Sequence, residues 1–426
     1  MHSHAASGLA FTLAILATAP SAHGQASDSE TDSTAPPTVQ ELLQRIERLE
    51  RARDADREDF EFELEGLEDD LSRLESKAGV QTQRSNVFNP GITVFGNFLA
   101  RADDQSVHLD DDPTAPRIDD QFNLREFEVD YRASIDPWTD GVLIATYESE
   151  TPGEANATIE EGYVIVKKLP VLDSAPAGLK LKMGRFRPNF GRFNQIHTHD
   201  LPQPTYPRAL GTFLGPEGYI RDGVEGKFFL PSPSESQTIE ATVGLFDGGE
   251  LPIAPGESAS NLSVLGHVKW FKDLGKGRDV ELGVSGLQND SDHRVVGLDG
   301  TYKWKPFEGG EWKSFLVGGE FFQADLSEAG LDSSPMGYYL WSQYQFDKNL
   351  YFGVRYYHAE DLTDASMSTD TYGAYLTFYT TEFFRLRFGM EHSTSDIDEI
   401  DGRNTALLET NFIFGSHPVE PYWVNR

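Results

Sequence analysis

The chain has 426 residues and a formal net charge of -33, from 69 acidic against 36 basic side chains, so a phosphate backbone would be repelled and nucleic acid is not an expected partner. Mean hydropathy is -0.45, and no run approaches the roughly 20 apolar residues of a spanning helix, which excludes a helical membrane protein. With no cysteine, neither a disulfide framework nor a thiolate metal site can form.

The short apolar run from Gly8 to Thr18, followed by Ala22-His23-Gly24, predicts a removed signal peptide over 1–24. Its leading MHSH lacks the usual Lys or Arg. A Ser/Thr/Asp/Pro-rich linker covers 25–38. A helix is expected over 39–78, with apolar residues at Val39, Leu42, Ile46 and Leu49, then at Phe60, Leu64, Leu67, Leu71 and Leu74. These spacings make coiled-coil seams, and the gap from Leu49 to Phe60, a heptad plus four, is a stutter. So polar a helix has little to bury itself against except copies of itself, and the seam alone does not choose between two and three strands.

From residue 89 the period changes to two. Phe384, Leu386, Phe388 and Met390 alternate with Arg385, Arg387, Gly389 and Glu391, which suits a wall between lipid and a water-filled lumen with no apolar core left over. About sixteen segments of barrel-strand length can be placed. They start near Gly91, Phe122, Gly141, Ala157, Gly178, Gly218, Gln237, Ser260, Arg278, His293, Glu311, Met336, Asn349, Asp370, Glu382 and Arg403. Odd connections are long and even ones mostly short, as an even-stranded outer-membrane barrel requires. The expected fold is therefore all-β: a transmembrane antiparallel β-barrel over 89–415, preceded by the coiled coil and followed by a tail, 416–426. A soluble all-β domain is the rival, and it should show Val, Ile and Leu on its inward faces instead of charge.

Several strands aim cations away from their apolar face: Lys303 and Lys305, Arg355, and Arg385 with Arg387. The densest stretch is Leu179 to Arg187, where a bulge at Gly184 would bring Lys180, Lys182, Arg185 and Arg187 all to the lumen. Such ladders lower the barrier to anion entry. Glu126, Glu128, Asp130, Asp299, Glu391 and Glu409 share the same face, so bracing ion pairs are the alternative to an anion path.

The third long connection runs from Pro188 to about Glu217 without a strand pattern. A loop of roughly thirty residues usually carries function. Its expected role is to fold inward and narrow the channel, with Arg192 and Arg208 joining the basic constriction; the alternative is a cap over the mouth. His197, His199 and Asp200 are candidate transition-metal ligands by their spacing, although two histidines and an aspartate in a loop are more commonly just hydrogen-bonded. No motif assembles a nucleophile, base and orienting group, so no enzymatic activity and no cofactor are expected.

Within this layout, Gly184-Arg185-Phe186-Arg187-Pro188-Asn189-Phe190-Gly191 resembles the phosphate-selective porins of the O and P type. The Asn194 to Pro202 part, with its His-x-His, is similar to zinc-regulated outer-membrane proteins of the same kind. The resemblance implies a trimeric passive channel in the bacterial outer membrane, in contact with lipid and lipopolysaccharide, with its coiled coil in the periplasm. It also implies a basic constriction for small anions such as phosphate, carried by Arg185, Arg187 and Arg192. Two features depart from it: the acidity of lumen and loops, and the residues GSHPVEPYWVNR after the last strand, where such barrels end on an aromatic. The expected function is a porin for small solutes, anions favoured. Its alternatives are a receptor that binds substrate or metal through the third loop, and a tether acting through the coiled coil.

Overall fold

The computed structural model describes residues 90–424 apart from pieces at 106, 109–116, 119–120, 149–155, 170–171, 173, 216, 249–260, 290–293, 307–311, 329–330, 397–399, 417–420 and 422. The expected signal peptide, linker and coiled coil lie outside the described residues.

Sixteen strands form the barrel: β1 (Gly91–Asp103), β2 (Gln121–Asp136), β3 (Thr139–Glu148), β4 (Asn156–Val166), β5 (Lys180–Phe186), β6 (Arg221–Leu230), β7 (Gln237–Gly248) and β8 (Asn261–Gly275). They continue as β9 (Arg278–Gln288), β10 (Arg294–Trp304), β11 (Ser314–Glu328), β12 (Met336–Asp347), β13 (Leu350–Glu360), β14 (Ser368–Thr381), β15 (Phe384–Ser395) and β16 (Asn404–Gly415). Every strand pairs antiparallel with the next, and β1 pairs with both β2 and β16, so the sheet closes on itself. Closure leaves no strand edge with unpaired amides, the condition for a wall of strands in lipid. All sixteen predicted segments recur, with starts displaced by at most three residues. Turn chemistry, which alternation does not report, sets those ends.

Outward positions make an apolar belt: Val284, Leu298, Leu340, Phe352, Val354, Leu376, Phe388 and Met390 are all exposed. Aromatic residues cluster at its short-turn edge, among them Trp138, Phe229, Phe346, Phe378, Phe383 and Phe414, as interfacial girdles do.

The inner face differs from the expectation of charge throughout. Phe246, Leu265, Leu287, Val295, Leu316, Phe322, Tyr339 and Trp341 belong to a buried cluster together with Phe186, Phe190, Phe193, Leu210 and Phe213 of the β5–β6 region. The lumen therefore contains an apolar core along β7–β12. Doublets such as Val264-Leu265 and Phe321-Phe322 carry that signal, but a one-sided alternation template counts only the outward member.

Two bulges re-aim side chains. Between Asn97 and Phe98 the register against β2 skips Arg125, and between Ile144 and Ala145 the register against β4 skips Glu160. Arg125 thus joins Glu126, and Glu160 joins Glu161, on the inner face. No shift occurs at Gly184, whose neighbours stay in register with β4 and β6. Gly184 sits at φ 131, where a Cβ would collide with the carbonyl oxygen of Gly162. The glycine accommodates close backbone approach rather than a change of face, and the parity of β5 is kept.

Candidate functional site

The β5–β6 connection, 187–220, enters the lumen, as expected of the third loop. An irregular segment enclosed by a barrel must find partners for its own amides and carbonyls, and the inward charges of the wall supply them. In its first part the wall accepts. Glu225 takes the Asn189 N–H at 2.8 Å, and Ser285 Oγ takes that of Gly191 at 2.9 Å. Glu320 takes those of Arg192 and Phe193 at 2.9 and 2.7 Å, while Tyr339 donates its hydroxyl to the same oxygen at 2.6 Å. Gly191 turns at φ 57, and a Cβ there would strike the Glu320 carboxylate. Asn194 clamps the two ends of the loop by donating to Pro188 O and accepting from the Tyr219 N–H.

In the second part the wall donates. Arg125 reaches Pro204 O at 2.6 Å, Arg385 reaches His199 O at 2.8 Å, Arg387 reaches Leu201 O at 2.9 Å, and Arg355 bonds Thr205. Three of these guanidiniums share one buried carboxylate, Glu409, with Arg387 at 2.6 Å, Arg385 at 3.3 Å and Arg125 at 3.4 Å. Arg355 pairs instead with Glu391 at 2.7 Å. Short helix α1 (Arg208–Leu214) then lays Leu210 and Phe213 into the apolar cluster. Phe193 meets Tyr339 and Trp341 there at centroid distances of 5.1 and 5.8 Å. Phe193→Ala is expected to cost roughly 3–5 kcal/mol of loop docking, read as faster protease cleavage within 188–217 while the barrel resists.

From the short-turn end comes a second insertion. Trp423 is fully buried, donates from Nε1 to Asp200 O at 2.7 Å, and lies under Arg385 and Arg387 at 5.5 and 5.6 Å from its ring centroid. Lys305 donates to Val424 O, and Gln343 donates to Trp423 O. Loop and tail therefore meet inside the barrel.

The predicted basic residues divide accordingly. Arg355, Arg385 and Arg387 are buried and engaged with loop carbonyls and carboxylates. Arg187 is buried against Glu160 and Glu217 O, and Arg192 pairs with Glu281. Arg208 opens α1. Lys180, Lys182 and Lys303 lie on the inner face, Lys182 at 3.7 Å from Glu161 and Lys303 opposite Asp279. Arg185 is the correction: it pairs with Asp222 at 2.8 Å on the exposed outer side, because β5 keeps its parity. Arg125 escaped the sequence reading because only the bulge turns it inward.

In the short-turn half of β2 and β4–β9, four ion-paired inner cations are each more exposed than their acidic partners. Lys227 is 40% exposed against 8% for Glu240, and Arg132 61% against 8% for Asp130. Lys182 and Lys269 follow the same order. Water in this part of the lumen meets ammonium and guanidinium ends, with the carboxylates behind them.

His197 and His199 reach side chains of β1, β2 and β4. His197 Nδ1 lies 3.1 Å from Glu128 and 3.4 Å from Glu160, while Nε2 is hydrogen-bonded to Glu161 at 2.7 Å. His199 Nδ1 is 3.5 Å from Glu126 and 3.6 Å from Glu128, and its ring stacks on Phe95 at 4.0 Å. Burial by itself would lower both imidazoles. For His199, Glu128, Asp200 and Glu126 outweigh it and hold the pKa up at about 9; for His197, Glu128 and Glu160 hold it well above the ordinary histidine value. Asp200 stands apart, 3.8 Å from the far side of His199, so the predicted His197, His199 and Asp200 set does not converge on one point.

No family model matches the chain. An uncharacterized protein of Aquifex aeolicus (strain VF5) is 26% identical over 344 residues, 71% of this chain and 70% of that protein. Among solved structures, OprB of Pseudomonas putida superposes with a TM-score of 0.52 at 12% identity, over 76% of this chain and 94% of that one. The outer-membrane channel DcaP of Acinetobacter baumannii gives 0.51 at 9%, over 76% and 97%. The anion-selective porin of Comamonas acidovorans gives 0.51 at 10%, over 76% and 100%. The fold is that of the outer-membrane porins. At these identities the likeness is one of architecture, and the phosphate-type resemblance of Gly184 to Gly191 gains nothing from it.

Proposed function

We propose that the protein is a narrow outer-membrane diffusion channel for small solutes, with a preference for anions. The observation that carries this reading is the closed sixteen-strand barrel whose lumen is constricted by an inward loop fastened to the wall. The anion preference is supported by the cations of the short-turn half, Lys180 and Arg132 exposed and Lys227 and Lys269 half-buried. The buried arginines around Glu409 contribute little to it, because their charge is already matched by carboxylate and loop carbonyls. Phosphate is one candidate anion among small ones. Trimerisation through the 39–77 heptads belongs to the same reading and is tested by cross-linking with and without that segment.

The deciding experiment is planar-bilayer recording across a chloride gradient. Stepwise conductance with an anion-biased reversal potential is expected, moving toward cation preference in Lys180→Glu/Lys227→Glu. Arg185→Ala, on the outer face, is expected to leave the potential unchanged. A cation-biased wild type would sink the anion preference, and absence of conductance would sink the channel.

A further inference from the structure

The carboxylate and imidazole cluster between loop and wall has more ligating atoms than its hydrogen bonds use. Glu126, Glu128, Glu160 and His197 each offer one ligand atom, and the four atoms lie within 4.8 Å of one another. Glu126 Oε2, Glu128 Oε2, Glu160 Oε2 and His197 Nδ1 are buried without a hydrogen-bond partner, the one charge contact among them being His197 Nδ1 to Glu128 Oε2 at 3.1 Å. A fifth orphan comes from outside this set: His199, only 2% exposed, turns its unpartnered Nδ1 toward Glu126 and Glu128. Buried polar atoms are nearly always satisfied, so five converging orphans call for something that satisfies them together.

The surroundings select what that is. Glu161 accepts from His197 Nε2, which leaves Nδ1 as the nitrogen that can ligate on losing its proton, the arrangement by which an outer carboxylate orients a metal-binding imidazole. Arg187 holds Glu160 through its other oxygen, and Lys182 stands 3.7 Å from Glu161, so neither cation sits among the orphaned atoms. Three carboxylate oxygens and an imidazole nitrogen suit a first-row divalent transition ion such as zinc, and the imidazole argues against calcium or magnesium. Around the orphaned atoms carboxylates outnumber cations, because Arg187 and Lys182 are held by the outer oxygens of Glu160 and Glu161, and that excess of negative charge suits a dication.

We propose that Glu126, Glu128, Glu160 and His197 form a buried binding site for a divalent transition-metal ion, with His199 as an adjacent ligand, fastening the third loop to β2 and β4. The site differs from the sequence candidate in taking its oxygens from the wall and leaving Asp200 out. Two bulge-free positions on β2, one bulge residue on β4 and one loop residue meet there, a juxtaposition that no local motif announces.

The test uses full-length protein folded in detergent, stripped with a chelator and titrated with zinc against a chromophoric competitor, with elemental analysis after desalting. One zinc per chain is expected, with at least about 100-fold weaker binding in Glu128→Gln and in His197→Gln. Cobalt is expected to give visible absorption bands that the same variants lose. Heat-modifiable gel migration confirms that each variant is a folded barrel. Should the variants not fold, the wild type still decides, by retained zinc and by thermal stabilisation with zinc that magnesium does not reproduce. No retained zinc in the wild type, or equal affinity in folded variants, would overturn the site and leave a purely protonated ion-pair cluster. Because these readouts need no conductance, they stand or fall separately from the channel.

Discussion

Removal of residues 416–426 is expected to raise single-channel conductance at least about twofold, with Trp423→Ala giving part of that increase. Trp423 fills space between the loop and the wall: its indole donates to Asp200 O, its ring faces Arg385 and Arg387, and it packs edge-on to Tyr351 at 6.2 Å. These contacts are made by two residues, whereas barrel closure rests on continuous backbone ladders between β1 and both its neighbours. The truncated protein should therefore migrate as a folded barrel and insert normally. The comparison is made in the same bilayer and salt. Unchanged conductance in both forms would mean that the conducting path avoids the tail, and Trp423 would then be a brace for the loop alone.

Glu409→Ala should release the third loop without opening the barrel. Glu409 is the one carboxylate within salt-bridge distance of all three guanidiniums Arg125, Arg385 and Arg387 among the described residues, and it also accepts from Asn97 Nδ2 at 2.7 Å. Breaking a buried ion pair by removing one partner costs about 3–5 kcal/mol, since the remaining charge is stranded in low dielectric. Here three arginines lose their counter-charge together. Those arginines hold the carbonyls of His199, Leu201 and Pro204, so the cost falls on loop docking. The expected readouts are proteolytic cleavage within 195–206 and noisy, enlarged conductance, with heat-modifiability retained. Glu409→Gln should behave like the alanine, because an amide keeps the Asn97 contact but not the charge; Glu409→Asp should recover part of the docking. A resistant loop in Glu409→Gln would show that the apolar cluster of Phe190, Phe193 and Phe213 suffices.

The contrast between the two halves of the third loop explains the mixed charges of the inner wall. Acids on β6 and β11 meet loop amides, and basic residues on β2, β13 and β15 meet loop carbonyls. The sequence showed both signs on the lumen side and left bracing pairs and an anion path as alternatives. The partner that resolves many of these charges is backbone, which has no signature in composition. Arg385 and Arg387 thus serve the loop, while the more exposed inner cations, Lys180, Arg132 and Lys227, stand in a different part of the wall.

What the sequence determined by itself is whatever depends on local period and polarity. Alternation at Phe384 to Glu391 and its companion segments was enough to expect a barrel of about sixteen strands, since a strand with one apolar and one polar side must repeat every two residues. Loop length singled out 188–217, and the residues after β16 were visible as an addition beyond the last strand. Only the tertiary structure decided which residues meet. One-residue bulges turned Arg125 and Glu160 inward, the lack of a bulge left Arg185 outside, and register across β3 set Glu126 and Glu128 of β2 beside Glu160 of β4, where the inward loop adds His197. These contacts follow from register and closure, which are properties of strand pairs, and a single strand read alone does not contain them.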